Sequence, residues 1–174
     1  MIRTIDNFLN DTELSFLTNY AKENIDLYTL LKLDNSFINF NCQSGNVNDT
    51  KNILGVQWFS ILNKIKTSLK NVINSDLLLY SIKISVTTYR YIMHKHLDDR
   101  VHNRSLDNSY TCIIYLTNNW VESMGGLWNG GEEFIVPTYN KLLVYSRDIT
   151  HSVTPSLGKW PNHRTILLTS WCNT

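Results

Sequence analysis

The sequence predicts an α+β, mainly β fold: a β-sandwich or barrel with helices packed on one side. Three observations carry that expectation. Two amphipathic helical stretches occupy the first 75 residues, and the hydrophobic period switches from helical to alternating after Asp76. From there to Trp171, short β-branched and aromatic runs are separated by Gly, Pro and Asn turn signals. At 174 residues and 43% hydrophobic content the chain can bury one sizeable core. No repeat or linker interrupts it, so one domain is expected over 1–174, with helical support at 1–75 and a jelly-roll core at 76–174.

The elements follow in order. Asn10 with Glu13 three residues on reads as an N-cap and its capping-box partner, and Leu14, Phe16, Leu17, Tyr20 and Ala21 give the first helix an apolar face. Asp26 to Thr50 loses periodicity and reads mainly as loop, with a short strand at Phe37 to Phe40. Trp58, Leu62, Ile65, Leu69 and Val72 mark a second helix over about 53–74, with Lys64, Lys66 and Lys70 on a solvated face. Tyr80, Ile82, Ile84 and Val86 alternate with polar residues as a half-buried strand does, and this strand leads into Tyr89 to Asp99. Asp99 to Ser109 is polar and aperiodic, a loop placed to close over a bound molecule. Tyr110 to Thr117 is a strand. Trp128 and Glu132 to Val136 flank Asn129-Gly130-Gly131 and predict a hairpin turning at Asn-Gly. Lys141 to Ser146, His151 to Pro155 and Arg164 to Trp171 supply three more strands.

Composition narrows the function. Sixteen Lys and Arg against fifteen Asp and Glu give no general attraction to nucleic acid or to an anionic membrane. The N-terminus is polar where a secretory signal would be apolar, and no apolar run is long enough to span a bilayer, so a soluble cytoplasmic protein is expected. Cys42, Cys112 and Cys172 are odd in number and widely spaced, which fits reduced thiols rather than a disulfide framework or a zinc knuckle.

The chemistry points to His96 and Asp98. Two residues apart on an extended chain, an imidazole and a carboxylate share a face and can converge on one ion. Of the remaining histidines, His151 sits on a strand far away in sequence, as a jelly roll needs if two sheets are to meet at one site. His96, Asp98 and His151 form the two-imidazole, one-carboxylate set that leaves three metal positions open and is associated with non-haem Fe(II) oxygenases. His94, two residues before His96 on the same face, is the competitor; it is set aside because pairing it with His96 would discard the carboxylate, and a supporting contact stays open for it. His102 and His163 read as loop residues. Thirteen residues beyond His151, Arg164 begins the last strand, where a guanidinium can hold a carboxylate in two parallel hydrogen bonds.

In this order the chain resembles the iron(II)/2-oxoglutarate dioxygenases, and within them the prolyl 4-hydroxylase-like branch. The likeness runs from about Tyr80 to Trp171: His96-x-Asp98 at a strand end, Tyr115 to Trp120, Gly125-Gly126-Leu127, a strand before a turn with Pro137, Tyr145 to Val153, and Arg164. The N-terminal Phe8 to Glu13 adds a helix entry common in that branch. The resemblance implies a double-stranded β-helix, the jelly roll of cupins. It also implies Fe(II) on His96, Asp98 and His151, and 2-oxoglutarate held at its C5 carboxylate by Arg164 with help from the Tyr115 hydroxyl. Dioxygen would be the oxidant, with ascorbate a candidate reductant. As a plain core aromatic Tyr115 is an equally open reading. The chain departs from the family at Met93, where a tyrosine often stands three residues before the first ligand.

The expected reaction is hydroxylation of an unactivated C–H, with succinate and CO2 released. A prolyl residue in a peptide or protein leads as substrate, and a free amino acid or other small metabolite is the alternative. A catalytically silent cupin-like metal- or ligand-binding module is the reading from a different class. For the mouth of the barrel the candidates are Arg100, Trp128 and Tyr91, with Arg104 beside them and Arg100 preferred.

Overall fold

The computed structural model describes residues 1–24, 35–40, 47, 54–73, 76–87, 91–98, 108–157 and 163–173. Cys42, Arg100, His102, Arg104 and most of the loop expected over the site lie outside the described residues, so the expectations placed on them stand as they were.

Among the described residues, ten strands form two antiparallel sheets. The large one runs β1 (Ile2–Ile5), β8 (Leu142–Ser146), β5 (Ser109–Tyr115), β10 (Arg164–Asn173), β3 (Leu77–Thr87), β2 (Asn35–Phe40) across its width. The small one runs β4 (Met93–His96), β9 (His151–Val153), β6 (Trp128–Gly130), β7 (Glu133–Ile135). The mainly β double-sheet expectation holds, with α1 (Asp11–Asn24) and α2 (Val56–Ile73) packed on the outer face of the large sheet. No described helix is long and apolar enough to cross a membrane.

Side-chain alternation divides the large sheet between two cores. Its outer face, with Ile82, Ile84, Cys112, Ile114, Leu142, Val144, Leu167 and Trp171, packs on Leu14, Leu17, Trp58, Ile61, Leu62, Ile65 and Leu69 of the helices. Its inner face, with Ile113, Tyr115, Leu143, Tyr145 and Ile166, meets Trp128 and Val153 of the small sheet. Each such side chain contributes about 1.5–3 kcal/mol on leaving water. The outer core fixes the sheet, and the inner one fixes the distance between the sheets. Burial pushes the Cys112 thiol well above its usual range, so it stays an inert packing group.

The first helix starts where the sequence puts it, while α2 starts at Val56 rather than near 53. The Glu13 amide donates to Asn10 Oδ1 at 2.9 Å and the Asn10 amide donates to Glu13 Oε2 at 3.0 Å, a complete capping box. Two details of α2 differ from expectation. Val72 is 39% exposed, since α2 ends one residue later, and Lys64 is no simple solvated group: its Nζ lies 3.0 Å from Glu13 Oε2 and ties α2 to α1.

Further differences have local causes. The four-residue β1 has no hydrophobic period of its own and forms by pairing with β8. In β3, Ser170 faces Ser81 while Trp171 faces Leu79, so Tyr80 is an extra residue and its side chain leaves the buried row. That bulge brings Leu77 and Leu79 into phase with Ile82 and Ile84. The β6–β7 hairpin pairs Gly130 with Glu133, so the turn is Gly131-Glu132 rather than Asn129-Gly130, with Gly131 at φ 61°. At the bottom of β8, buried Asn140 donates from Nδ2 to the Leu9 carbonyl at 2.8 Å and accepts from the Leu9 amide at 2.8 Å, closing the N-terminal segment onto the sheet.

Candidate metal centre and anion pocket

Between the sheets lies a cavity of about 340 Å³ that contains the predicted ligands at one end and Arg164 along its wall. His96 and His151 are directly opposite each other on the antiparallel pair β4–β9, with ring centroids 4.4 Å apart. Asp98 comes two residues past the end of β4. Its Oδ1 stands 4.0 Å from His96 Nε2 and 3.7 Å from His151 Nε2, and one ligand atom from each residue falls within 4.8 Å of the others. Small side-chain rotations bring such a set around one ion at bonds of about 2.0–2.2 Å.

The two imidazoles are prepared for that role. Each places Nδ1 on a main-chain oxygen, His96 on the His94 carbonyl at 2.8 Å and His151 on the Ile149 carbonyl at 3.0 Å. A carbonyl only accepts, so each Nδ1 carries the proton and each Nε2 turns a lone pair toward the site. His94 does not compete. Met93 pairs with Val153 and His96 with His151, three residues against two, so β4 bulges and the expected shared face of His94 and His96 is lost; His94 is exposed.

Burial pushes His151 below the ordinary imidazole range, partly opposed by its bond to the Ile149 carbonyl and by the Asp98 charge. Below the unfolded value of about 6.5 the unfolded chain takes up a proton that the folded imidazole refuses. The contribution is therefore complete above that value and lost as pH falls through the lower folded one. Melting of metal-free protein between pH 8 and pH 5 is expected to fall more steeply for the unaltered chain than for His151→Gln. Parallel curves would contradict this.

Arg164 opens β10 and is 4% exposed. Its Nη1 donates to the Gly126 carbonyl at 2.7 Å, while Nε has no hydrogen-bond partner. Gly126 is held by its amide N–H, which donates to the Pro155 carbonyl at 3.1 Å; its φ of 68° favours glycine, and a Cβ there would stand a tight 3.3 Å from the guanidinium. Tyr115, 2% exposed, has a hydroxyl with no hydrogen-bond partner, and burial pushes its pKa up despite the neighbouring Arg164 charge. Burying an unmatched guanidinium nitrogen and a phenol together is costly unless a ligand completes them. An organic carboxylate fits both donors, and the His96, Asp98 and His151 donor set fits a divalent ion.

The remaining candidates are placed differently. Trp128 is not at a mouth: 1% exposed, it stacks on the His151 ring at 5.6 Å and lies 4.9 Å from Tyr145. Tyr91 is half-buried and lies near Arg164, and Met93 lines the cavity. His163, half-buried, gives its carbonyl to Thr117 Oγ1 at 2.9 Å. Thr111, Tyr145 and Arg147 surround Asp98; Tyr145 and Arg147 stand in the Tyr145–Val153 run that carries the resemblance, but no site role was expected of any of the three. Their signal was alternation, which puts Thr111 and Tyr145 on the same inward rows as Ile113, Tyr115 and Leu143.

The model of the 2OG-Fe(II) oxygenase superfamily matches residues 84–173, just over half of the chain. No curated protein sequence matches. Among solved structures the chain is similar to a Pseudomonas putida prolyl-4-hydroxylase, at 14% identity and TM-score 0.66 over 99% of this chain and 91% of that one. It is also similar to Streptomyces hygroscopicus HygX with nickel, 2-oxoglutarate and hygromycin B bound, at 11% identity and TM-score 0.69 over 99% and 83%. A Trichoplax adhaerens prolyl hydroxylase in complex with a hypoxia inducible factor peptide fragment gives 16% identity and TM-score 0.65 over 99% and 83%. At these identities the likeness is one of fold.

Proposed function

The chain belongs to the 2OG-Fe(II) oxygenase superfamily, and we propose that it hydroxylates an unactivated C–H of a prolyl residue in a peptide or protein. The observation that carries the reading is the pairing, in one cavity, of three convergent metal-ligand atoms with a buried phenol hydroxyl and a buried guanidinium Nε that have no hydrogen-bond partner. His96, Asp98 and His151 would hold Fe(II), and Arg164 with Tyr115 would hold the far carboxylate of 2-oxoglutarate. When bound, the iron and cosubstrate supply the oxidising chemistry: dioxygen delivers one oxygen atom to the substrate C–H and one to succinate, as CO2 leaves. Ascorbate is a candidate accessory reductant.

The chain's own work is placement and dryness. Nδ1–H bonds to main-chain oxygens keep both imidazoles in the ligating tautomer. Ile113, Val153, Ile166 and Trp128 wall the space between the two ends and exclude water from it. Arg164 supplies charge and direction at the end away from the ligands, which fixes the orientation of a bound dicarboxylate. The domain is read as one unit over 1–174, with the helices as outer support.

The prolyl reading draws support from neighbours that are prolyl hydroxylases, one of them holding a peptide. The neighbour holding hygromycin B supports the alternative, a free amino acid or other small molecule. Incubation of iron-loaded protein with peptide and amino-acid mixtures is expected to release succinate only when Fe(II), 2-oxoglutarate and oxygen are all present. Mass spectrometry should find one oxygen atom gained on a peptide. A gain confined to free amino acids or metabolites would select the alternative. No succinate from any mixture, with metal content unchanged in His96→Ala, would leave only the silent binding module.

A further inference from the structure

His96 and His151 are aimed by main-chain carbonyls, but Asp98 lies beyond the end of β4, where no ladder holds it. Its carboxylate is held from the opposite sheet instead. Thr111 Oγ1 donates to Asp98 Oδ2 at 2.8 Å, the Tyr145 hydroxyl donates to the same oxygen at 3.2 Å, and Arg147 Nε stands 3.7 Å from it. Thr111 pairs with Tyr145 on the antiparallel β5–β8 ladder, so the two donors sit side by side on one rung of a rigid surface. Oδ2 is thus occupied on its sheet-facing side, and Oδ1 is the oxygen turned toward both imidazoles.

Resting on the metal reading above, we propose that Thr111 and Tyr145 are positioning residues that clamp Oδ2, force Asp98 to ligate through Oδ1 alone, and thereby set the affinity of the site for its ion. Both side chains are 1% exposed, so water does not take over a lost hydroxyl. Tyr145 adds a coupling. Its oxygen lies 3.3 Å from His151 Nε2 as well as 3.2 Å from Asp98 Oδ2, and one hydroxyl proton serves one acceptor at a time. Once an ion takes the His151 lone pair, the proton is committed to Asp98. Filling the histidine side of the site therefore tightens the carboxylate side. A neutral hydroxyl achieves this without adding a further ligand charge, and partners of this kind typically govern metal affinity by tenfold to a hundredfold.

The test measures Mn(II) binding from the electron paramagnetic resonance signal of the free ion, without cosubstrate or turnover, for Thr111→Val, Thr111→Ser, Tyr145→Phe and the Val/Phe double variant. Melting of each metal-free variant shows that it is folded. Thr111→Val and Tyr145→Phe are each expected to weaken Mn(II) by about tenfold or more, the double variant further, and Thr111→Ser to stay close to the unaltered protein. A purely structural role for Thr111 would not separate Ser from Val, since Val keeps the shape and Ser keeps the hydroxyl. Unaltered Mn(II) affinity in Thr111→Val or Tyr145→Phe, or equal loss in Ser and Val, overturns the inference while leaving the metal site standing. Failure of the unaltered chain to bind Mn(II) overturns the metal reading and the inference together.

Discussion

Arg164→Ala is expected to weaken 2-oxoglutarate by roughly 30-fold to several thousand-fold while changing metal affinity little. The range follows from the cost of truncating one partner of a buried, hydrogen-bonded charge pair, about 2–5 kcal/mol, at 1.4 kcal/mol per tenfold. The guanidinium is 4% exposed, so its charge is screened by little solvent and its removal leaves a carboxylate facing the Tyr115 hydroxyl alone. Arg164→Lys should recover only part of the loss, because an ammonium keeps the charge but not the planar fork. The variant also strips the Gly126 carbonyl of its 2.7 Å donor, so some thermal stability should go with it. Calorimetric titration of Mn(II)-loaded protein with 2-oxoglutarate, beside a separate Mn(II) titration, decides the matter. Equal loss of both affinities would remove Arg164 from its assigned place.

Gly130→Ala is expected to damage the metal end from behind. Gly130 pairs with His151 across β6–β9, and the Trp128 indole lies over the spot a Cβ at Gly130 would occupy. Trp128 is 1% exposed, wedged between that spot, Tyr145 and the His151 ring, so it cannot swing into solvent. Overpacking of this kind costs about 1–3 kcal/mol. In a chain of this size each kcal/mol lowers the melting temperature by about 2–4 °C. Because the displaced indole bears on His151, metal affinity should fall as well. Melting curves with and without Mn(II) read both effects. A variant that melts and binds like the unaltered chain would show that the indole moves aside freely.

Much of this was legible because it depends on local pattern. Asn10 and Glu13 announce the capping box in four letters, and the switch of period after Asp76 announces the sheets. The expectation that His96, Asp98 and His151 converge rested on spacing and on two sheets meeting at one site; the three ligand atoms do converge, but His96 and His151 lie on neighbouring strands of the one small sheet. What stayed hidden depends on insertions in the ladder. One extra residue at Tyr80 and another between Met93 and His96 shift the phase of strict alternation, which is why Tyr80 leaves the buried row and His94 turns outward. Trp128 was misplaced for another reason: an aromatic beside a glycine-rich turn reads as exposed until Gly130 is seen to be the space it fills. Thr111 was unremarkable because a lone hydroxyl on a buried strand has no sequence signature, and Tyr145 stood only as part of the Tyr145–Val153 run; the approach of Asp98 gives both a place at the site.

The His96–His151 pair has a topological consequence. Under the proposed ligand set, an ion shared by these residues joins positions 96 and 151 and so cross-links the chain around everything between them, including β5 and β8. Closing a long loop reduces the freedom of the unfolded chain more than closing a short one does. β4 gains most, being a four-residue edge strand with a bulge and only two rungs of pairing to β9. In the metal-free protein two rungs of pairing hold β4 to β9. The ion then acts as a removable stitch, so the amides of β4 and β9 should exchange with solvent more slowly as it is added.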